Sequence, residues 1–298
     1  MTYGITYQFV YLFYLEYLLL NWFRKYLHVL KNRALPNIMY IPKNYSGFMH
    51  PEITVEELEN AIKNQKVTVV YQPLVNIHDS NHIVGFEALV RYQSLTGLDI
   101  SADTIVSLCE RYQLISELTR TVISLAFEGY LQILPRFTDA YLAINLSAAD
   151  IDEDTIEYLE KALRSSHLQS SQIMIELTER VAVNPQTSQY LKALRTAGHR
   201  LSIDDFGSGA SNVRYLQELT PDIVKIDKAF VDWAMHEGPV STLLSQLITI
   251  GKTLHAKIVV EGVETKSQAD KILASGAHYG QGFYWYPPLS VSEILKLM

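Results

Sequence analysis

From Val67 onward, short apolar runs alternate with amphipathic stretches of helical period. The runs are VTVVYQPLV (67–75), IVGFEALV (83–90), YLAINLS (141–147), QIMIELT (172–178), RLSIDDF (200–206), DIVKID (222–227), KIVVEG (257–262) and HYGQGFYW (278–285). Each has the length of a strand, and their near-continuous apolar character predicts a mostly parallel sheet covered on both faces. Between most of them lie predicted helices such as Ser116–Leu134, Asp154–Ser165, Gln186–Ala197 and Val240–Leu254. The first two runs are separated only by the turn-like segment NIHDSNH, so they pair as a hairpin rather than through a crossover helix. Eight runs favour closure over an open sheet. The predicted fold class is therefore α/β, a (β/α)8 TIM-like barrel with one antiparallel strand. Neither an internal repeat nor a low-complexity tract is visible, which excludes a solenoid.

The start of the chain follows another pattern. Residues Ile5 to Phe23, ITYQFVYLFYLEYLLLNWF, form an apolar run about as long as a helix that crosses a bilayer. Trp22 lies near its end, and Arg24, Lys25, Lys31 and Arg33 follow, whereas nothing basic except the amino terminus precedes it. A spanning helix would then leave everything after it in the cytoplasm. Against this stands Glu16 near the middle, an acidic residue costing roughly 2.5–3.5 kcal/mol on insertion scales. The alternative is an amphipathic helix packed on the barrel or on a partner. A cleaved signal peptide does not fit, because no basic segment precedes the run and no small-x-small site follows it. Residues 1–33 thus read as an N-terminal apolar helix and membrane anchor, and 34–52, with Pro36, Pro42, Gly47 and Pro51, as a linker. Residues 53–298 form the main domain. Thr54 opens its first helix, with Glu57 in capping-box spacing.

Composition narrows the function. The 298 residues are 48% hydrophobic and carry a net charge of −7, from 32 acidic and 25 basic side chains. An acidic surface repels polymeric nucleic acid, so no DNA or RNA partner is expected. A small phosphorylated ligand remains compatible where metal ions stand between carboxylate and phosphate. The single cysteine, Cys109, excludes an internal disulfide and a cysteine-ligated zinc site and suits a reducing compartment. It shares an apolar helical face with Val106, Leu108 and Leu114, which marks it as core rather than nucleophile.

Polar residues recur within or just after the apolar runs: Glu87, Asn145, Glu176, Asp204, Asp205, Lys225 with Asp227, Glu261 with Glu264, and Gln281. A carboxylate buried alone there would be costly. In a parallel barrel the carboxyl ends of the strands converge on one face, where such barrels carry their chemistry. A ring of carboxylates needs cations to neutralise it, and oxygen-rich ligation suits Mg²⁺ or Mn²⁺ better than zinc. Two such ions about 3.5–4 Å apart form the usual clamp for in-line phosphoryl chemistry.

In order, Tyr71-Gln72-Pro73-Leu74, Glu87-Ala88-Leu89-Val90-Arg91, Asn145-Leu146-Ser147, Glu176-Leu177-Thr178-Glu179, Asp204-Asp205-Phe206-Gly207, Lys225-Ile226-Asp227, Glu261-Gly262-Val263-Glu264-Thr265 and Gln281-Gly282-Phe283 resemble the motifs of EAL domains. The resemblance covers about residues 53–295. It implies a bacterial enzyme, held at the inner membrane if residues 5–23 span it, that hydrolyses cyclic-di-GMP to linear pGpG with two Mg²⁺ or Mn²⁺ ions, and it implies a homodimer through the domain. By position, Glu87, Asn145, Glu176 and Asp204 look like ligands of a first ion, and Asp204 with Asp205 would hold the second, with Glu261 completing or orienting the site. Lys225 would hydrogen-bond the attacking water or the phosphate, and Gln281 would position water or metal ligands. The proton acceptor is left open among Glu261, Asp204 and Lys225. Gln72, Leu89 and Arg91 would contact the nucleotide. Glu179 would anchor the loop after Asp205, with Glu264 and Asp227 in support.

Departures from the family pattern include Arg180 for a common serine, Ala210 for an aromatic, Ala148 for a proline and Pro287 for a basic residue. Arg180 and Ala210 flank the loop that the resemblance links to dimerisation and control. The alternative function is a catalytically inert receptor or interaction module that binds cyclic-di-GMP or a partner; inert members lack one or more ligand positions, and this chain retains all of them. A kinase is excluded: Asp205-Phe206-Gly207 spells its metal-binding triplet, but no Gly-rich loop or H-R-D-x-x-x-x-N segment lies upstream. Phe283, Tyr284 and Trp285 in strand spacing would turn only alternate rings inward, where one could stack a guanine. The stretch before Thr54 is too short for a diguanylate cyclase domain, which leaves a short anchored enzyme or the cytoplasmic end of a longer sensor.

Overall fold

The computed structural model describes residues 53–79, 82–178, 185–208, 219–236 and 242–297. The apolar run 5–23, the linker, and positions Glu179, Arg180 and Ala210 lie outside the described residues. Among the described residues, no helix is long and apolar enough to cross a membrane.

Among the described residues nine strands form: β1 Thr68–Asn76, β2 His82–Gln93, β3 Asp99–Ile100, β4 Tyr141–Asn145, β5 Ile173–Thr178, β6 Arg200–Phe206, β7 Ile223–Ile226, β8 Lys257–Val260 and β9 Tyr279–Gly280. The helices are α1 Val55–Lys63, α2 Ala102–Arg111, α3 Ile115–Ile133, α4 Glu153–Ser166, α5 Pro185–Thr196, α6 Lys228–Ala234, α7 Leu243–Thr253, α8 Lys266–Ala274 and α9 Val291–Ile294. The hydrogen-bonded order runs β1-β9-β8-β7-β6-β5-β4-β2, and β1 pairs back onto β2, so eight strands close into a barrel. Strand β1 is antiparallel to both neighbours, and the other barrel pairs are parallel. The hairpin expected from the short first turn is therefore the antiparallel element of the closure. Strand β3 lies outside the eight predicted runs; it pairs with the far end of β2, away from the barrel.

The two faces of each strand have separate roles. On β4, β5 and β7 the outward residues Leu142, Ile144, Ile173, Ile175, Val224 and Ile226 join helix residues such as Phe127, Leu159 and Ile248 in the main core. Inward, Leu74, Tyr141, Ala143, Met174, Ile223 and Val259 form a separate apolar cluster inside the barrel. Its members come from strands that are not all neighbours in the sheet, which places this second cluster in the lumen, as in other barrels of this size. A third cluster joins α1, α2 and the end of β2 and holds Cys109, whose thiol burial pushes up to about 12. The cysteine is core.

Two local expectations are corrected. The last apolar run is a strand only over β9; from Gln281 the chain leaves the sheet and turns through Phe283–Trp285. At Gly282 a Cβ would lie 2.1 Å from the Val263 carbonyl oxygen, so the close crossing of these two backbones ends the strand. Strand alternation therefore does not govern the three aromatics. At the first helix, the Thr54 hydroxyl does accept from the Glu57 amide at 3.1 Å, but Glu57 does not complete the box. Its carboxylate instead takes the Tyr92 hydroxyl at 3.0 Å and the Leu95 amide at 2.7 Å, tying α1 to the β2–β3 hairpin.

Candidate active site

Strand parity brings the predicted polar residues into the lumen above its apolar layer. Ala143 and Asn145, Met174 and Glu176, Ile223 and Lys225, and Val259 and Glu261 are each two residues apart, so each pair shares an inward face. The polar member is always the one nearer the carboxyl end of the strand. That end is the mouth at which parallel barrels assemble sites.

Lys225 is the centre of the arrangement. Its side chain is fully buried, and Nζ donates to Glu87 Oε2 at 3.0 Å and to Glu176 Oε2 at 3.1 Å. Glu261 Oε1 lies at 2.7 Å and Asp204 Oδ2 at 3.7 Å. These carboxylates come from β2, β5, β6 and the residue after β8, so one ammonium links four parts of the ring. Burial alone would lower its pKa, but the four carboxylates outweigh burial and hold the ammonium well above its ordinary value.

Glu87 is the best-satisfied carboxylate. Oε1 accepts from Asn145 Nδ2 at 2.8 Å, and Oε2 accepts from Gln281 Nε2 at 2.7 Å as well as from Lys225. Burial pushes its carboxyl up; Lys225 and the two amides outweigh it and hold the group below the ordinary range. Glu176 and Glu261 differ. Burial drives both well above that range and neighbouring carboxylates add to it, while Lys225 opposes the rise without cancelling it. One lysine does not balance four acids.

The surplus charge bears on a metal. Glu87, Glu176 and Asp204 each present a carboxylate oxygen, and the three oxygens lie within 4.8 Å of one another. Such a hard, all-oxygen set suits a divalent ion of the Mg²⁺ or Mn²⁺ type. Gln281 adds a second sign: it is buried, and among the described residues its Oε1 has no hydrogen-bond partner. Asn145 sits beside the triangle on the next strand, in register with Glu176. The residues present fit a cation.

Asp204 and Asp205 occupy the end of β6, where a regular strand would point them to opposite faces. Asp205 instead adopts a left-handed conformation, φ 57°, and the β6–β7 register slips between Ile203 and Phe206. Its amide donates to Asp204 Oδ1 at 2.8 Å. The Asp205 carboxyl is raised by burial and then by the Asp204 and Asp227 charges. Asp205 and Glu261 are not part of the three-oxygen group, although Glu261 joins it through Lys225.

The remaining predicted residues divide. Gln72 belongs to the site: Gln281 Nε2 donates to its Oε1 at 3.1 Å, and its Nε2 reaches the Tyr286 carbonyl at 3.3 Å. Leu89 and Arg91 follow Glu87 on the same inward face of β2, both partly exposed. Arg91 Nη1 donates to the Val90 carbonyl at 2.8 Å, so most of its donors remain for a ligand. Asp227 caps α6, accepting from the Ala229 amide at 2.8 Å. Glu264 is exposed and pairs with Lys228 instead of Lys225. Nothing in the residue order marks the Tyr286 carbonyl, because a backbone acceptor carries no side-chain signature. Tyr141 is a further lumen residue outside the motifs; its parity with Asn145, the one available signal, places it on the inner face beneath the ring.

Comparison with known proteins agrees with this geometry. The EAL domain matches residues 55–288. A probable cyclic di-GMP phosphodiesterase of Escherichia coli K12, PdeB, is 35% identical over 241 residues, covering 80% of this chain and 46% of that protein. Another from the same organism, PdeG, is 30% identical over 258 residues, covering 84% of this chain and 50% of that protein. The chain thus spans about half the length of the curated relatives it matches. Among solved structures, the PaMucR phosphodiesterase in complex with c-di-GMP superposes with a TM-score of 0.76 at 29% identity, covering 80% of this chain and 98% of that one. With its motifs in order around a closed barrel and a domain match over most of its length, the chain belongs to the EAL domain family.

Proposed function

We propose that the chain hydrolyses cyclic-di-GMP to linear pGpG in a reaction that depends on Mg²⁺ or Mn²⁺, two ions being used. The observation that carries this reading is the triangle of Glu87, Glu176 and Asp204 around a buried lysine at the barrel mouth. A divalent ion held there supplies Lewis-acid stabilisation of phosphoryl charge and makes bound water more acidic. Asn145 would complete its ligands, with Asp204 and Asp205 serving the second ion.

In the reaction, water oxygen forms a bond to phosphorus, one bridging P–O3′ bond breaks, and the released 3′ oxygen takes a proton. Lys225 already donates to carboxylates and holds its charge, so it acts as a donor toward the phosphate or the water. That leaves Glu261 and Asp204 as acceptors for the proton of the attacking water. The free Gln281 Oε1 orients that water. Gln72, Leu89 and Arg91 line the path of the nucleotide, Arg91 through its planar fork. The domain would work in the cytoplasm of a bacterium, paired as a homodimer and held at the inner membrane by residues 5–23. There it lowers the level of the second messenger.

The test is direct. Purified chain with Mn²⁺ or Mg²⁺ should convert cyclic-di-GMP to pGpG, and chelation should stop it. Binding without turnover would favour an inert receptor, and neither binding nor turnover would sink both functions. Fractionation of the tagged full-length chain checks the anchor, and recovery in the soluble fraction would defeat it.

A further inference from the structure

The ammonium of Lys225 and the three-oxygen triangle share two carboxylates. Glu87 and Glu176 belong to the triangle, and both accept hydrogen bonds from Lys225 Nζ. The third member, Asp204, is the most distant of the four carboxylates from that nitrogen, at 3.7 Å, and the nearest, Glu261 at 2.7 Å, is outside the triangle. A lysine wholly removed from water among these groups does what a bound cation would do: it is a covalently tethered positive charge at the base of the ring.

The geometry points to Lys225 as the resident counter-ion of the site, which keeps the carboxylate triangle assembled in the metal-free protein and weakens the affinity of that triangle for a divalent ion. Electrostatics sets both effects. Without the ammonium, four carboxylates face each other in a buried lumen, and the metal-free fold loses stability. With it, an arriving divalent ion meets a positive charge a few ångströms away on ligands it must share. Assembly without metal is gained, and tight metal binding is given up. This inference rests on the metal-dependent function proposed above and concerns a role for Lys225 separate from donation to water or phosphate.

Lys225→Met keeps most of the buried stem and removes the charge. Its metal-free melting temperature should fall by several degrees, and its Mn²⁺ affinity by calorimetry should rise at least about tenfold, as expected for removing a unit charge at short range in a medium of effective dielectric about 20. Saturating Mn²⁺ should therefore raise its melting temperature more than that of the wild type. The double variant Lys225→Met/Glu261→Gln restores the net charge of the ring without touching the triangle. It should recover metal-free melting and return Mn²⁺ affinity toward the wild-type value, a rescue that loss of stem packing would not show.

Folded wild type that binds no Mn²⁺ would sink the metal-dependent function itself. Wild type that binds Mn²⁺, with Lys225→Met binding it no more tightly or melting unchanged without it, would overturn the counter-ion role alone. If Lys225→Met fails to fold without metal, the double variant decides: recovery supports the role, and failure to recover overturns it.

Discussion

Two layers of one lumen, a single strand period apart, are built from opposite materials. The lower layer, with Leu74, Ala143, Met174, Ile223 and Val259, is dry and apolar. The upper layer, with Gln72, Asn145, Glu176, Lys225 and Glu261, is polar and charged on the same strands and the same face. The lower layer stabilises by burial, whereas the upper one carries buried carboxylates that cost free energy unless paired. The difference shows how the barrel supports its chemistry. Apolar packing inside and outside the sheet fixes the strands, and that rigidity holds like charges together at the mouth, where they would otherwise separate.

The largest effect should come from breaking the upper layer. Glu87→Ala removes one corner of the triangle and the shared acceptor of Lys225, Asn145 and Gln281. Turnover of cyclic-di-GMP should fall by at least about 10²–10³-fold, the scale for losing one preorganised electrostatic contact. Near-normal activity in that variant, measured by pGpG release with the fold verified, would remove Glu87 from the site.

The same two layers show what a sequence discloses. The parallel strands are legible because a short run that is apolar on both faces is what a strand buried between two layers requires, and the predicted bounds of β6 match the observed ones. The upper layer is legible because polar residues interrupt those runs at a constant place. Lys225 is legible as a site residue but not as the hub, since its surroundings are set by strands far apart in the chain. Glu57 fails as a capping box for the same reason: Tyr92 and Leu95 compete for its carboxylate, and both belong to another part of the chain. The end of β9 is hidden because Gln281-Gly282-Phe283 keeps strand-like apolarity while the close approach of Val263 turns the backbone away.

The lower layer should respond in stability instead of chemistry. Leu74→Ala opens a cavity in a fully buried cluster and should cost about 2–5 kcal/mol in denaturant unfolding. The folded fraction should keep its metal affinity and most of its turnover, and an equal loss in both would mean that the layers are not separable. A smaller cost is expected from overfilling. At Gly85 a Cβ would lie 2.6 Å from Tyr141 Cζ, so Gly85→Ala must displace a ring packed in the lumen. The expected loss is about 1–3 kcal/mol. Pairing it with Tyr141→Phe should not restore stability, because the clash is with the ring and not with the hydroxyl.

The smallest effect tests a titrating group at the opposite end of the barrel from the site. His199 immediately precedes β6, is buried, and shares Nε2 with Glu160 Oε1 at 2.9 Å. Burial lowers its pKa, and the hydrogen bond and charge of Glu160 only partly oppose this. The folded protein therefore binds fewer protons here than the unfolded chain, whose histidine titrates near pH ~6.5. The contribution is fully present above that pH and is lost as pH falls through the depressed folded value. Burial also shifts the upper-layer carboxylates Glu176 and Glu261, so the wild-type slope alone does not isolate this residue. Comparing melting temperatures of wild type and His199→Gln between about pH 8 and pH 5 does, and the variant should show the shallower fall. An equal slope in both would mean that Glu160 cancels the effect of burial, and a steeper fall in the variant would mean that Glu160 outweighs it and that the lower end of the barrel holds an ion pair instead of a neutral ring.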